Sequence, residues 1–152
     1  MWAGAPELQA KPRKKPTPHE SKLQAALVEW FDDCVPPEAA MLFAVANGGD
    51  RHTAVAARLT AEGVRRGVSD LVLMLPAGRT IFIEVKLAKT HWHARTVQSE
   101  EQLAFEERAC ALGHRYVVVR SIDELEALLR AEGVPLRTRT SLGWAQPRAA
   151  HP

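Results

Sequence analysis

With 152 residues, nearly half of them hydrophobic and a quarter charged, the chain suits one globular domain of ordinary size with a substantial core. A net charge of +2 is too small to assign a polyanion partner by itself, and two isolated cysteines, Cys34 and Cys110, argue against a disulfide scaffold and for reduced thiols in the cytoplasm. No apolar run approaches the roughly 18 residues of a membrane span, and the N-terminus carries no apolar leader segment, so no membrane partner is expected.

Residues 1–16 contain three prolines and the basic run Lys11-Pro12-Arg13-Lys14-Lys15-Pro16. They read as a basic flexible arm: a solvated tail in the plain interpretation, a nucleic-acid contact in the functional one. Thr17-Pro18-His19-Glu20 opens the first helix. Thr is a good N-cap, Pro suits the first helical position, and Glu three residues after the cap completes a capping box. Leu23, Ala26, Leu27, Trp30 and Phe31 follow at helical spacing, and Pro36-Pro37 ends the unit. Residues 41–45 are expected to form a short strand, Asn47-Gly48-Gly49-Asp50 a loop, and residues 53–62 a helix closed by Gly63.

A hairpin follows over residues 68–86. The β-forming runs Leu71-Val72-Leu73-Met74-Leu75 and Arg79-Thr80-Ile81-Phe82-Ile83 flank the turn residues Pro76-Ala77-Gly78. Residues 87–98 carry Lys89, His91, Trp92, His93 and Arg95 and read as a basic and aromatic surface loop. Ser99-Glu100-Glu101-Gln102 is a second capping box, opening a helix to Leu112 that Gly113 closes. Tyr116-Val117-Val118-Val119 is a continuous apolar run, expected to be a strand buried on both faces. Strand, helix, strand calls for a right-handed crossover that pairs this run parallel to residues 80–86. Ser121-Ile122-Asp123-Glu124 is a third capping box, starting a last helix to about Ala131. Residues 134–152 read as a flexible C-terminal tail. The whole is an α/β chain with a small mixed sheet.

The chemistry concentrates at Asp70, Glu84 and Lys86. If the turn is centred on Ala77, Asp70 and Glu84 are directly opposite each other. Opposed residues in an antiparallel pair have Cβ atoms about 5 Å apart, where like charges repel, so a bridging cation would relieve the pair. Alternation puts Phe82, Glu84 and Lys86 on one face and Ile81, Ile83 and Val85 on the other. Hard oxygen ligands of this kind suit Mg²⁺ beside a phosphate, with an ammonium to orient water or stabilise developing charge. The plain alternative is a surface patch in which Lys86 neutralises Glu84. Glu20 completes a capping box but borders the buried helix face, from which it can also face the cleft. Gln102 is the capping partner of Ser99 and is turned inward by apolar neighbours. His91 and His93 lack the further Cys or His a zinc site needs, and a phosphate- or base-contacting loop fits them better. Cys34 has no nearby His to activate it as a nucleophile. The Asn-Gly-Gly loop lacks the Gly-Lys-Ser/Thr of a phosphate-binding P-loop.

In their order and spacing these residues resemble the VRR-NUC family of the PD-(D/E)XK nuclease superfamily. Asn47-Gly48-Gly49 with Arg51 is similar to that family's loop before the core. Gly63-Val64 and Gly67-Val68-Ser69-Asp70 resemble its Gly-Val…Gly-x-Pro-Asp segment, with Ser69 where the family usually has Pro. Ile83-Glu84-Val85-Lys86 resembles its Ile-Glu-x-Lys strand, Ser99-Glu100-Glu101-Gln102 its Ser-Pro-x-Gln helix start, and Gly113-His114-Arg115-Tyr116-Val117-Val118-Val119 its closing Gly-plus-strand. The likeness runs from about Glu20 to Ala131, within a nuclease domain over residues 17–133.

The resemblance implies a restriction-endonuclease-like core and metal-dependent hydrolysis of DNA phosphodiesters with Mg²⁺ or Mn²⁺. Asp70, Glu84 and the Val85 carbonyl would be metal ligands. Lys86 would position water or stabilise the transition state, Gln102 would support the water or Lys86, and Glu20 would join a second metal. It further implies a homodimer acting on branched DNA such as four-way junctions, in the cytoplasm of a bacterial or phage-infected cell. Arg51, Arg65, Arg66, Lys89, His91, Arg95 and the basic arm are the expected DNA contacts. Two rivals stand beside this reading: a DNA-binding or assembly module of the same fold without turnover, and a nuclease acting on RNA.

Overall fold

The computed structural model describes residues 18–46, 53–89, 97–140 and 143–145. The basic arm, Thr17, the Asn47–Asp50 loop, Arg51 and the His91–Arg95 stretch lie outside them. Among the described residues no helix is long and apolar enough to cross a membrane.

The elements in chain order are α1 (Pro18–Cys34), β1 (Met41–Ala44), α2 (Thr53–Ala61), β2 (Leu71–Leu75), β3 (Arg79–Val85), α3 (Glu100–Ala111), β4 (Arg115–Val119), α4 (Ile122–Ala131), β5 (Thr138–Thr140) and β6 (Gly143–Ala145). The main sheet has the order β1-β2-β3-β4. The first two pairings are antiparallel and the third, β3 with β4, is parallel. This is the mixed sheet flanked by helices that the sequence implies. The parallel pair needs a crossover, and α3 supplies it.

Register follows from the turn. Pro76–Gly78 forms a single 3-10 turn in which Ala77 sits at φ 61, ψ 31, a left-handed conformation rare for a residue with a Cβ. Leu71 then pairs with Ile83 and Leu75 with Arg79, which centres the hairpin on Ala77. Glycine adopts this backbone without the Cβ clash, at the expense of a more flexible unfolded chain. Ala77→Gly should therefore raise stability by less than about 1 kcal/mol. A thermal melt showing a clear loss of stability would contradict the strained-turn interpretation.

The pleat sends Ile81, Ile83 and Val85 to one face, all of them buried with Leu71, Leu73 and Leu75. Leu27 and Phe31 of α1 and Leu125 and Leu129 of α4 close over that face and complete the core. Full burial of each such side chain contributes about 1.5–3 kcal/mol. On the opposite face Phe82 meets Phe105 of α3 edge-on, with ring centroids 5.1 Å apart at 89°. At the end of the sheet where β3 and β4 begin, the Glu132 carboxylate takes Arg79 at 2.8 Å and also Arg115. Both arginines are about half exposed, so this tie adds only modest stability.

Three sequence expectations need correction. β4 is an edge strand of the four; Tyr116 is buried on one face and Val119 on the other, while Val117 and Val118 are half-buried, so the Val run is covered on both faces but less deeply than expected. The capping box of α4 is half formed: Ser121 Oγ accepts the Glu124 N–H, but the Glu124 carboxylate accepts from Arg120 N, one residue before the cap. Within the stretch expected to be a flexible C-terminal tail, the described residues bury Val134, pack Leu136 on the core and form the β5–β6 pair, while residues 146–152 lie outside the described residues.

Candidate functional site

The β2–β3 ladder ends with Leu71 opposite Ile83. One residue further, the same register sets Asp70 opposite Glu84. There the backbone ladder is replaced by a side chain: Asp70 Oδ2 accepts the Val85 N–H at 3.0 Å. The Asp70 carbonyl accepts Val45 N–H at 2.9 Å, which ties this residue to the end of β1 as well. Just before it, Ser69 is fully buried and its hydroxyl donates to the Leu71 carbonyl at 2.9 Å. A hydrogen bond thus holds the backbone where the resembling family has a proline ring.

Glu84 is fully buried. An isolated carboxylate there would cost several kcal/mol, so its partners decide whether it stays charged. Lys86, on the same strand face, places Nζ 3.0 Å from Glu84 Oε1, with only 11% of its side chain exposed. The Gln102 amide donates to the same oxygen. The Tyr116 hydroxyl donates to Oε2 at 3.1 Å. Among the described contacts, one cation and two neutral donors reach this carboxylate, from β3, α3 and β4.

Gln102 reaches Glu84 because its own position is locked. Its Oε1 accepts the Ser99 N–H at 2.8 Å while its N–H goes to Ser99 Oγ at 3.3 Å, a complete capping box at the start of α3. The side-chain carbonyl caps the helix and the amide nitrogen serves the site. The first turn of α3 in turn lies on Gly67, which has φ +73. A Cβ there would strike the Glu101 carbonyl and come within 2.9 Å of Gln102 N.

Tyr116 was not singled out as a site residue from sequence. β4 pairs Tyr116 with Phe82, so its ring lies on the Glu84 face and reaches diagonally along the sheet to the carboxylate two residues on. Burial first, then the charge of Glu84 and the hydrogen bond to it, push the phenol far above the ordinary tyrosine range, against an opposing hydrogen bond with Gln98. Tyr116 therefore stays protonated and donates. A lone polar-tipped residue in a strand of valines, in parallel register with the Phe82–Glu84 strand, is the signal that would have pointed to it.

The other expected residues are placed less closely. Glu20 is half-buried in the first turn of α1. Arg65 donates to the Thr60 and Val64 carbonyls at 3.3 and 3.5 Å and so closes the end of α2. Arg66 and Lys89 are exposed. Arg51, His91 and Arg95 lie outside the described residues.

The donor set fits a hard divalent cation. Asp70 and Glu84 are carboxylates that the hairpin register sets opposite each other, and Mg²⁺ takes only one or two such ligands, keeping several waters. Among the described residues no group of three or more His, Cys, Asp and Glu lies together, as a zinc cage of protein ligands would require. Asp70 and Glu84 would hold such a cation, with Lys86 alongside.

No protein-family model matches the sequence, and no curated protein matches it. Solved structures similar in shape include two VRR_NUC proteins. One, described as a "VRR_NUC domain protein", gives a TM-score of 0.52 at 18% identity, over 74% of this chain and 85% of its own. Another, described as a "VRR_NUC domain", gives 0.48 at 24% identity, over 73% and 94%. On the first of these, the chain has the fold of a VRR_NUC domain protein.

Proposed function

We propose that this chain is a Mg²⁺- or Mn²⁺-dependent DNA endonuclease, acting as a homodimer on branched DNA such as four-way junctions. The observation that carries the proposal is the carboxylate pair: Asp70 stands opposite Glu84 in a nuclease-type fold, and Glu84 is ion-paired to Lys86 at 3.0 Å. When bound, a divalent cation supplies charge stabilisation at a phosphoryl oxygen and makes water a better nucleophile. Lys86 contributes a nearly buried ammonium beside the reacting phosphate, where it can orient water or stabilise charge as it develops. Gln102 keeps Glu84 oriented from a helix whose start is rigidly capped.

Arg51, Arg65, Arg66, Lys89, His91, Arg95 and the basic arm would contact backbone phosphates, so affinity should fall steeply with salt. A two-fold dimer would present two such sites to two strands. The test uses labelled four-way junction, flap, linear duplex and single strand, each with Mg²⁺, with Mn²⁺ or with EDTA. Cutting of the junction that requires Mg²⁺ and exceeds cutting of linear duplex is expected. Binding without cutting in either metal would overturn the enzymatic reading in favour of a non-catalytic module. Light scattering that finds only monomer on junction DNA would remove the dimer.

A further inference from the structure

We propose that Tyr116 is a positioning residue for Glu84, whose hydroxyl fixes the rotation of that carboxylate so that it can take a divalent cation together with Asp70. The inference deepens the metal-dependent reading above and rests on it. The described donors to Glu84 do not all have the same task. Lys86 and Gln102 both meet Oε1. Among the described contacts of Oε2, the donor is Tyr116, at 3.1 Å. A carboxylate gripped at one oxygen alone can still turn about its last torsion, which is broad and weakly restrained. Gripping the second oxygen from another strand removes that freedom.

The tyrosine is itself immobilised. It is 8% exposed, it lies in parallel register with Phe82, and its ring packs at 6.1 Å from Phe105, which in turn meets Phe82. The Phe82–Phe105–Tyr116 cluster thus sets the height of the hydroxyl above the sheet, and the hydroxyl sets the carboxylate. Outer partners of this kind orient metal ligands, and their loss commonly weakens metal affinity by about 10–100-fold.

Tyr116 is the chain's single tyrosine, which makes a test specific to it practical. Full-length protein carrying 3-fluorotyrosine gives one ¹⁹F resonance. That resonance should shift on titration with Mg²⁺, with the half-saturation that calorimetry measures, and should stay still in Asp70→Asn. Separately, Tyr116→Phe keeps the ring packing and removes only the hydroxyl. It should weaken calorimetric Mn²⁺ affinity about tenfold or more while DNA affinity without metal stays within about twofold. A resonance that does not move while calorimetry records Mg²⁺ uptake, or a folded Tyr116→Phe that binds Mn²⁺ as the wild type does, overturns the role of Tyr116 and leaves the function intact. Absence of any metal uptake by the wild type overturns both.

Discussion

Asp70→Asn and Glu84→Gln should each lower DNA cleavage by about a thousandfold or more while DNA binding survives. Each replacement keeps the side-chain volume and removes one of the two negative charges that would hold the cation. A bound metal would contribute several kcal/mol of transition-state stabilisation, and about 4 kcal/mol corresponds to a thousandfold in rate. In the proposed function DNA binding would rest instead on phosphate contacts elsewhere, and so should persist. The amides are preferable to alanine for a physical reason. Either replacement at Glu84 removes the charge that pairs with Lys86, whose side chain is only 11% exposed, but Glu84→Gln keeps an amide oxygen as acceptor, whereas Glu84→Ala takes the acceptor from Lys86, Gln102 and Tyr116 alike and leaves a cavity. Breaking a buried ion pair in this way costs about 3–5 kcal/mol, which would confound activity with unfolding. Single-turnover cleavage beside a fluorescence-anisotropy binding curve separates the two. If both amide variants cut as the wild type does, Asp70 and Glu84 do not carry the chemistry.

The second large effect is expected at a residue with no side chain. Gly67→Ala should destabilise the domain by about 2–5 kcal/mol, the sum of a left-handed backbone position and a packing overlap. The overlap is with backbone, since the new methyl would meet the Glu101 carbonyl and Gln102 N at the first turn of α3. A flexible side chain can move aside, but a capped helix start moves only as a unit. Displacing α3 would carry Gln102 away from Glu84, so the folded fraction of this variant should also lose activity. For a domain of this size each 1 kcal/mol lowers the melting temperature by roughly 2–4 °C, so a drop of several degrees is readable by calorimetry. A melting temperature equal to the wild type's would mean that the approach of Gly67 to α3 is not as close as described.

Much of this arrangement was readable from residue order because local chemistry dictates it. Pro76-Ala77-Gly78 is short enough to allow one centre for the hairpin, and that centre alone puts Asp70 opposite Glu84. Ser99 and Gln102 announce the start of α3 by a pattern in which each side chain satisfies the other's backbone. The same logic was one residue off at α4, since Glu124 finds the N–H of Arg120 as easily as that of Ser121. What local pattern does not carry is neighbour count. A run of valines looks the same in a central and an edge strand, so the open edge of β4 and its half-buried Val117 and Val118 are not readable from the run. Strands of three residues, such as β5 and β6, are too short to show a period. Tyr116 escaped because its partner is a diagonal neighbour across a parallel pair, a relation created only by assembly of β3 with β4. Glu20 is the converse case: its helix position was legible, and its relation to the carboxylate pair depends on how α1 docks.

The central claim is that Asp70 and Glu84 share one divalent cation. Anomalous diffraction from crystals of the full chain grown with Mn²⁺ tests it most directly. The account predicts a manganese peak within coordination distance of both carboxylates, beside the Lys86 ammonium. Manganese bound only elsewhere on the molecule, with the two carboxylates keeping their protein partners alone, would contradict it.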